Sequence, residues 1–128
     1  MPTDRFVCLV TGGGIMLALL FVTSHPVPQG WDKVAHFVCF SVITALLWRG
    51  TAGRAPLAVL ASVIAFGALD EVHQLFVPTR SAELLDFIAD AAAATAVCAV
   101  LFVRRKTLCA ESSEPQPAAT SCRSCSRA

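Results

Sequence analysis

The sequence predicts an all-α membrane protein, a compact antiparallel bundle of four transmembrane helices. Of 128 residues, 55% are hydrophobic and 15% charged, against roughly 45–50% and 25% in soluble domains. The charges also fall between long apolar runs and are nearly absent within them. Four such runs leave too little polar surface to cover them, which disfavours core helices in a soluble protein. A net charge of +1 offers no basic footprint, so no nucleic-acid partner is expected.

The first run, Phe6 to Thr23, contains no charged residue. It exceeds the ~7–15-residue apolar region of a cleaved signal, and no A-x-A site precedes His25, so a retained span is expected. Its Gly12-Gly13-Gly14 is either a place of close helix approach or a weak point in the helix. Val34 to Trp48 contains only His36, and Ala55 to Leu69 contains no charge; each is 15 residues long. A span needs ~20 residues, because the hydrocarbon core is ~30 Å thick and a helix rises ~1.5 Å per residue. Both runs must therefore be lengthened with flanking residues. The fourth run, Phe87 to Val103, contains only Asp90. Residues 1–106 are expected to form one transmembrane domain, with spans at about 6–23, 32–49, 56–75 and 82–103.

The connections are short. SHPVPQG (24–30) has two prolines that stop a helix and favour extended backbone. RGTAGR (49–54) is a Gly-containing turn, followed by Pro56 where a first helical turn tolerates it. FVPTR (76–80) turns at Pro78, and Ser81 is placed to cap the next helix, with Glu83 near its positive end. Such links make consecutive helices antiparallel neighbours. Arg5, Arg49, Arg54, Arg104, Arg105 and Lys106 then share one side, against Lys33 and Arg80 on the other, which predicts cytoplasmic termini. The tail 107–128 is rich in Ser, Pro and Ala and is expected to be disordered. Its Cys122 and Cys125 form a lone C-x-x-C, weak support for zinc; Cys8, Cys39 and Cys98 read as small apolar filler within spans.

The two short runs grow at the outer face through polar residues. Span two adds Lys33, Asp32 and Trp31; span three adds Asp70, Glu71, Val72, His73 and Gln74; span four opens with Glu83, Asp86 and Asp90. Helical spacing sorts these onto faces: Asp32 with His36, Glu71 and Asp70 with Gln74, Asp86 with Asp90. His36 and Asp90 lie deepest, where ionisable groups are costly and usually face the bundle interior or a wet cavity. Three stripes on neighbouring helices would line one outward-facing pocket. The plainer alternative is a set of interfacial residues that pair with one another and fix helix register. On the outer side six carboxylates face two fixed cations, so a proton, a metal ion or a cationic ligand is expected among them. No H-E-x-x-H or comparable spacing appears, so no metal or cofactor is assigned.

At these residues the chain resembles a known family. WDKVAHFVCFSVITALL is similar to the D-K-x-x-H-F signature of VanZ-like membrane proteins, and DEVHQLFVPTRSAELLDFIAD to their D-E-x-x-Q-x-F-x-P-x-R segment. The resemblance covers residues 31 to 94 and falls on Asp32, Lys33, His36, Phe37, Glu71, Gln74, Arg80 and Asp86. Asp90 stands where that family usually has Asn, and Ala91 to Ala94 replace an expected Gly. The resemblance implies a bacterial inner-membrane protein of a family associated with low-level teicoplanin resistance, by a mechanism it does not supply.

Asp32, Lys33, His36, Glu71, Gln74, Arg80, Asp86 and Asp90 are thus the expected ligand-binding residues. The leading expectation is a non-enzymatic protein binding a lipid-linked cell-envelope headgroup, with membrane lipids as further partners. Arg80 and Lys33 would engage an anionic group, while Glu71, Gln74, Asp86 and His36 read the headgroup. A lipid-headgroup enzyme is the alternative, with Glu71 or His36 as general base, although no nucleophile is paired with either and no catalytic residue is assigned. A small proton-coupled carrier is a third reading, and it would need a homodimer.

Overall fold

Each apolar run becomes one helix: α1 Thr3–Phe21, α2 Trp31–Gly50, α3 Pro56–Gln74 and α4 Leu84–Glu111. The computed structural model describes residues 2–21, 31–77 and 83–111, the side chains of Asp32 and Glu111 excepted. The connections expected at 24–30 and at Pro78, the Ser81 cap and the Cys122/Cys125 pair lie outside the described residues. All four helices are long and apolar enough to cross a membrane. Their outer faces carry bare apolar side chains such as Phe6, Val10 and Leu17 on α1 and Leu57 and Leu69 on α3, as lipid-facing surfaces do.

Contacts along the helices give their directions. Lys33 of α2 meets Asp86 of α4, His36 meets Asp90, and farther along Trp48 clusters with Cys98. Numbering rises together, so α2 and α4 run parallel. Val59 of α3 joins Trp48 and Cys98, while Gly67 lies by Phe40 and Asp90; α3 therefore runs against both. Gly12 of α1 faces Leu46 and Leu47, and Leu9 meets Gly50, so α1 is antiparallel to α2. Up-down threading and packing between consecutive helices are as expected. The most extensive packing joins α2 to α4, which are not consecutive, and α1 packs mainly on α2.

Size complementarity explains the α2–α4 seam. Phe40 and Ile43 are fully buried against Ala93, Ala94 and Val63, so aromatic bulk on α2 fills the space that alanines leave on α4. Phe66 of α3 tilts against Phe40 with centroids 6.0 Å apart. α1 is peripheral, and Gly12 is its buried residue. Of its three glycines only Gly12 serves close approach: an added Cβ would lie 3.2 Å from Leu47, whereas at Gly13 and Gly14 it would meet nothing within 4 Å.

Two helix ends depart from the sequence reading. α4 continues through Glu111, past the expected boundary at 106, because Thr107 to Glu111 contains no Gly or Pro to stop it. α4 begins at Leu84, so Glu83 precedes the helix instead of lying in its first turn; its carbonyl accepts from the Asp86 N–H at 2.9 Å. The α2–α3 turn is tight. Gly53 N–H donates to the Trp48 carbonyl at 2.9 Å and Ala52 N–H to the Arg49 carbonyl at 3.1 Å, the paired bonds of a Schellman cap. Both turn residues are left-handed, Ala52 at φ 54° and Gly53 at φ 62°. Arg105 of α4 donates to the Gly53 carbonyl and ties the turn to the bundle. Pro56 occupies the start of α3.

Two outcomes are expected from thermal unfolding in detergent. Ala52→Gly removes a Cβ from a left-handed position and raises stability by about 1 kcal/mol. Gly50→Ala lowers the melting temperature, because its Cβ would fall 2.5 Å from Leu9 Cγ; Gly13→Ala does not lower it.

Candidate functional site

The parallel run of α2 and α4 stacks their polar residues as successive rungs, one helical turn apart. At the first, Lys33 Nζ donates to Glu83 Oε2 at 2.8 Å and lies 3.3 Å from Asp86 Oδ1. Lys33 and Glu83 are partly exposed at the rim, whereas the Asp86 side chain is 2% exposed. One turn deeper, His36 Nδ1 is 3.1 Å from Asp90 Oδ1 and 3.4 Å from Oδ2. With Asp90 as carboxylate, this pairing assigns the proton to Nδ1, which donates. The His36 ring also stacks on Phe40, centroids 6.1 Å apart, so it is held from two directions. Below this rung the seam turns apolar.

α3 supplies the third wall. Gln74 Nε2 donates to Asp70 Oδ2 at 3.0 Å, four residues apart on one face, and both side chains are buried. Glu71 lies within Coulombic range of Asp86, Asp70 and His36, and Asp90 within range of Asp70 and Asp86. Gly67 permits this closeness: a Cβ there would sit 3.3 Å from both Asp90 Oδ2 and Phe40 Cε1.

The structure brings together Lys33, His36, Glu71, Gln74, Asp86 and Asp90. Arg80 and the Asp32 side chain lie outside the described residues. Phe37 is an exposed apolar side chain. Asp70 belongs to the cluster although it was not among the expected ligand-binding residues; its four-residue spacing from Gln74 was the available signal. Nothing in the spacing marks Gly67.

The charges are lopsided. Among the described side chains, Asp70, Glu71, Glu83, Asp86 and Asp90 face Lys33 and, when protonated, His36. Among the described residues, Asp70 Oδ1, Glu71 Oε1, His73 Nδ1 and Asp86 Oδ1 are buried without a hydrogen-bond partner. Lys33 Nζ lies 3.3 Å from Asp86 Oδ1 as an ion pair without a hydrogen bond to it. The electrostatic contact is real, but it leaves that lone pair available. Three of the four atoms are acceptors, so the cluster can take a proton, a cation or a donor-rich group. Among the described residues no group of three His, Cys, Asp or Glu is arranged to hold a metal ion. Beside the cluster, Glu71 stands in the wall of an otherwise apolar cleft of about 310 Å³, formed with Ala68, Val72, Leu75, Leu84 and Phe87.

Four spans with an ionisable cluster buried at one end define a multi-pass membrane protein. The family described as VanZ/LLP1 matches residues 6–105, and the chain belongs to that family. The match takes in all four helices and every member of the cluster. No curated protein and no solved structure matches.

Asp90 gives a direct test of the deeper rung. Asp90→Asn keeps an acceptor for His36 and should unfold near the wild-type temperature. Asp90→Leu removes the acceptor of the His36 Nδ1–H and should cost about 1–3 kcal/mol, read from thermal unfolding in detergent.

Proposed function

We propose that the protein is a non-enzymatic component of the bacterial inner membrane that binds the headgroup of a lipid-linked cell-envelope molecule at its acidic end. The observation that carries this reading is Glu71, whose Oε1 is buried with no hydrogen-bond partner among the described residues, on the wall of an apolar cleft. A carboxylate beside apolar side chains suits an amphipathic ligand whose polar part donates hydrogen bonds and whose chain lies along lipid. Amines, amides and sugar hydroxyls supply such donors. Lys33 is engaged by Glu83 and Asp86, so the excess of carboxylates favours donors over anions at this rung.

The orientation in this reading follows the cations. Arg5, Arg49 and Arg105 gather with the α2–α3 turn, opposite Lys33, which supports cytoplasmic termini and an outward-facing acidic end. A protein holding an envelope precursor there would affect how cells meet teicoplanin, the phenotype associated with the family. His36–Asp90 supports a second reading, a headgroup enzyme with an oriented base. Against it, the hydroxyls of Ser41, Thr44, Ser62 and Thr95 each donate to the carbonyl four residues back.

The test is mass spectrometry of lipids retained on gently purified protein. The wild type should carry a lipid-linked envelope component. Glu71→Gln should retain about tenfold less, the loss of one charge-assisted hydrogen bond, at unchanged abundance and membrane insertion. Equal retention by both proteins would remove the proposal, and turnover of the lipid would favour the enzyme.

A further inference from the structure

The opposite end of the bundle holds a separate polar feature. Arg5 on the first turn of α1 and Arg49 on the last turn of α2 line one cavity of about 280 Å³, together with Asp4, Trp48 and Ala52. We propose that this cavity binds the phosphodiester of a membrane phospholipid, gripped by Arg5 and Arg49.

The cavity is built by helix packing. Gly50 has no side chain, so Leu9 and the Arg5 carbonyl close onto α2; a Cβ at Gly50 would lie 2.6 Å from Leu9 Cδ2 and 3.3 Å from that carbonyl. This approach sets Arg5 and Arg49 around one space, against the buried Trp48. Neither guanidinium has an ion-pair partner among the described residues. Arg49 is also spared from capping its own helix. The Leu47, Trp48 and Arg49 carbonyls already accept from Thr51, Gly53 and Ala52 N–H. Paired guanidiniums with their planar donor forks free are the usual receptor for a phosphoryl group.

Charge and surroundings select the ligand class. Two arginines and Asp4 leave one net positive charge, which a phosphodiester monoanion neutralises and a phosphomonoester dianion exceeds. Phe6, the residue after Arg5, and Val10 are exposed on α1, so an apolar helix surface is available to acyl chains that continue from a headgroup seated there. Basic sites between helix ends at a membrane surface recognise phospholipid headgroups by this chemistry.

Native mass spectrometry of the detergent-purified full chain, titrated with phosphatidylglycerol, tests the proposal. The Arg5→Gln/Arg49→Gln variant should bind about tenfold more weakly or worse, while Arg104→Gln binds as the wild type; circular dichroism confirms equal helix content. Phosphatidic acid should bind less well than phosphatidylglycerol, and Asp4→Asn should narrow that gap. Diacylglycerol, which has chains but no phosphate, should not bind, and inorganic phosphate should not displace the lipid. Unchanged binding by the double variant, or equal binding of diacylglycerol, overturns the proposal. Displacement by inorganic phosphate reassigns the cavity to a free anion and overturns the lipid.

Discussion

A carboxylate carried by a helix into an apolar slab needs a cation or a donor near it, and Asp86 and Asp90 find theirs on α2. Lys33 reaches Asp86 at 3.3 Å and His36 reaches Asp90 at 3.1 Å. Much of the architecture follows from these two approaches. They fix the rotation of α2 against α4 and the register between them. That register sets Phe40 against Ala93 and Ala94. A slip by one residue would turn these polar groups toward lipid, where each would be costly. Polar pairing and apolar packing therefore specify the same alignment.

The third helix completes this arrangement without being its frame. Gly67 lets α3 close on Phe40 and Asp90, which brings Asp70, Glu71 and Gln74 alongside the α2–α4 rungs. The result has more acceptors than donors, with Asp70 Oδ1, Glu71 Oε1 and Asp86 Oδ1 unsatisfied. Among the described residues such an imbalance is expensive in a structure concerned only with stability. It is the kind of local conflict found where a protein holds something else.

Much of this was legible in the sequence, and for identifiable reasons. The four spans were plain because bilayer thickness turns composition into length. The gathering of Lys33, His36, Glu71, Gln74, Asp86 and Asp90 at one end followed from which way the short apolar runs had to grow. What spacing could not settle was which helices touch. Short connections make consecutive helices neighbours, as they are, but do not reveal that α2 packs most extensively on α4. The cue lay in two interleaved series, Lys33-His36-Phe40-Ile43 and Asp86-Asp90-Ala93, each repeating at three and four residues as a two-helix seam does. Gly67 was invisible for another reason: an absent Cβ matters only once one knows what would strike it. Polar composition from Thr107 onward does not end α4, because Thr107 to Glu111 contains no helix breaker.

The parallel α2–α4 seam has a consequence for biogenesis. The partners of Lys33 and His36 are Glu83 and Asp90, 50 and 54 positions later in the chain. Until α4 is made, α2 lacks the α4 carboxylates that its Lys33 and His36 meet in the fold, and it is the least hydropathic of the four spans. The emergence of α4 supplies those carboxylates, so synthesis of the last helix licenses lodging of the second. Chains truncated before that helix would leave α2 stranded, a natural handle for the proteases that survey unassembled membrane segments.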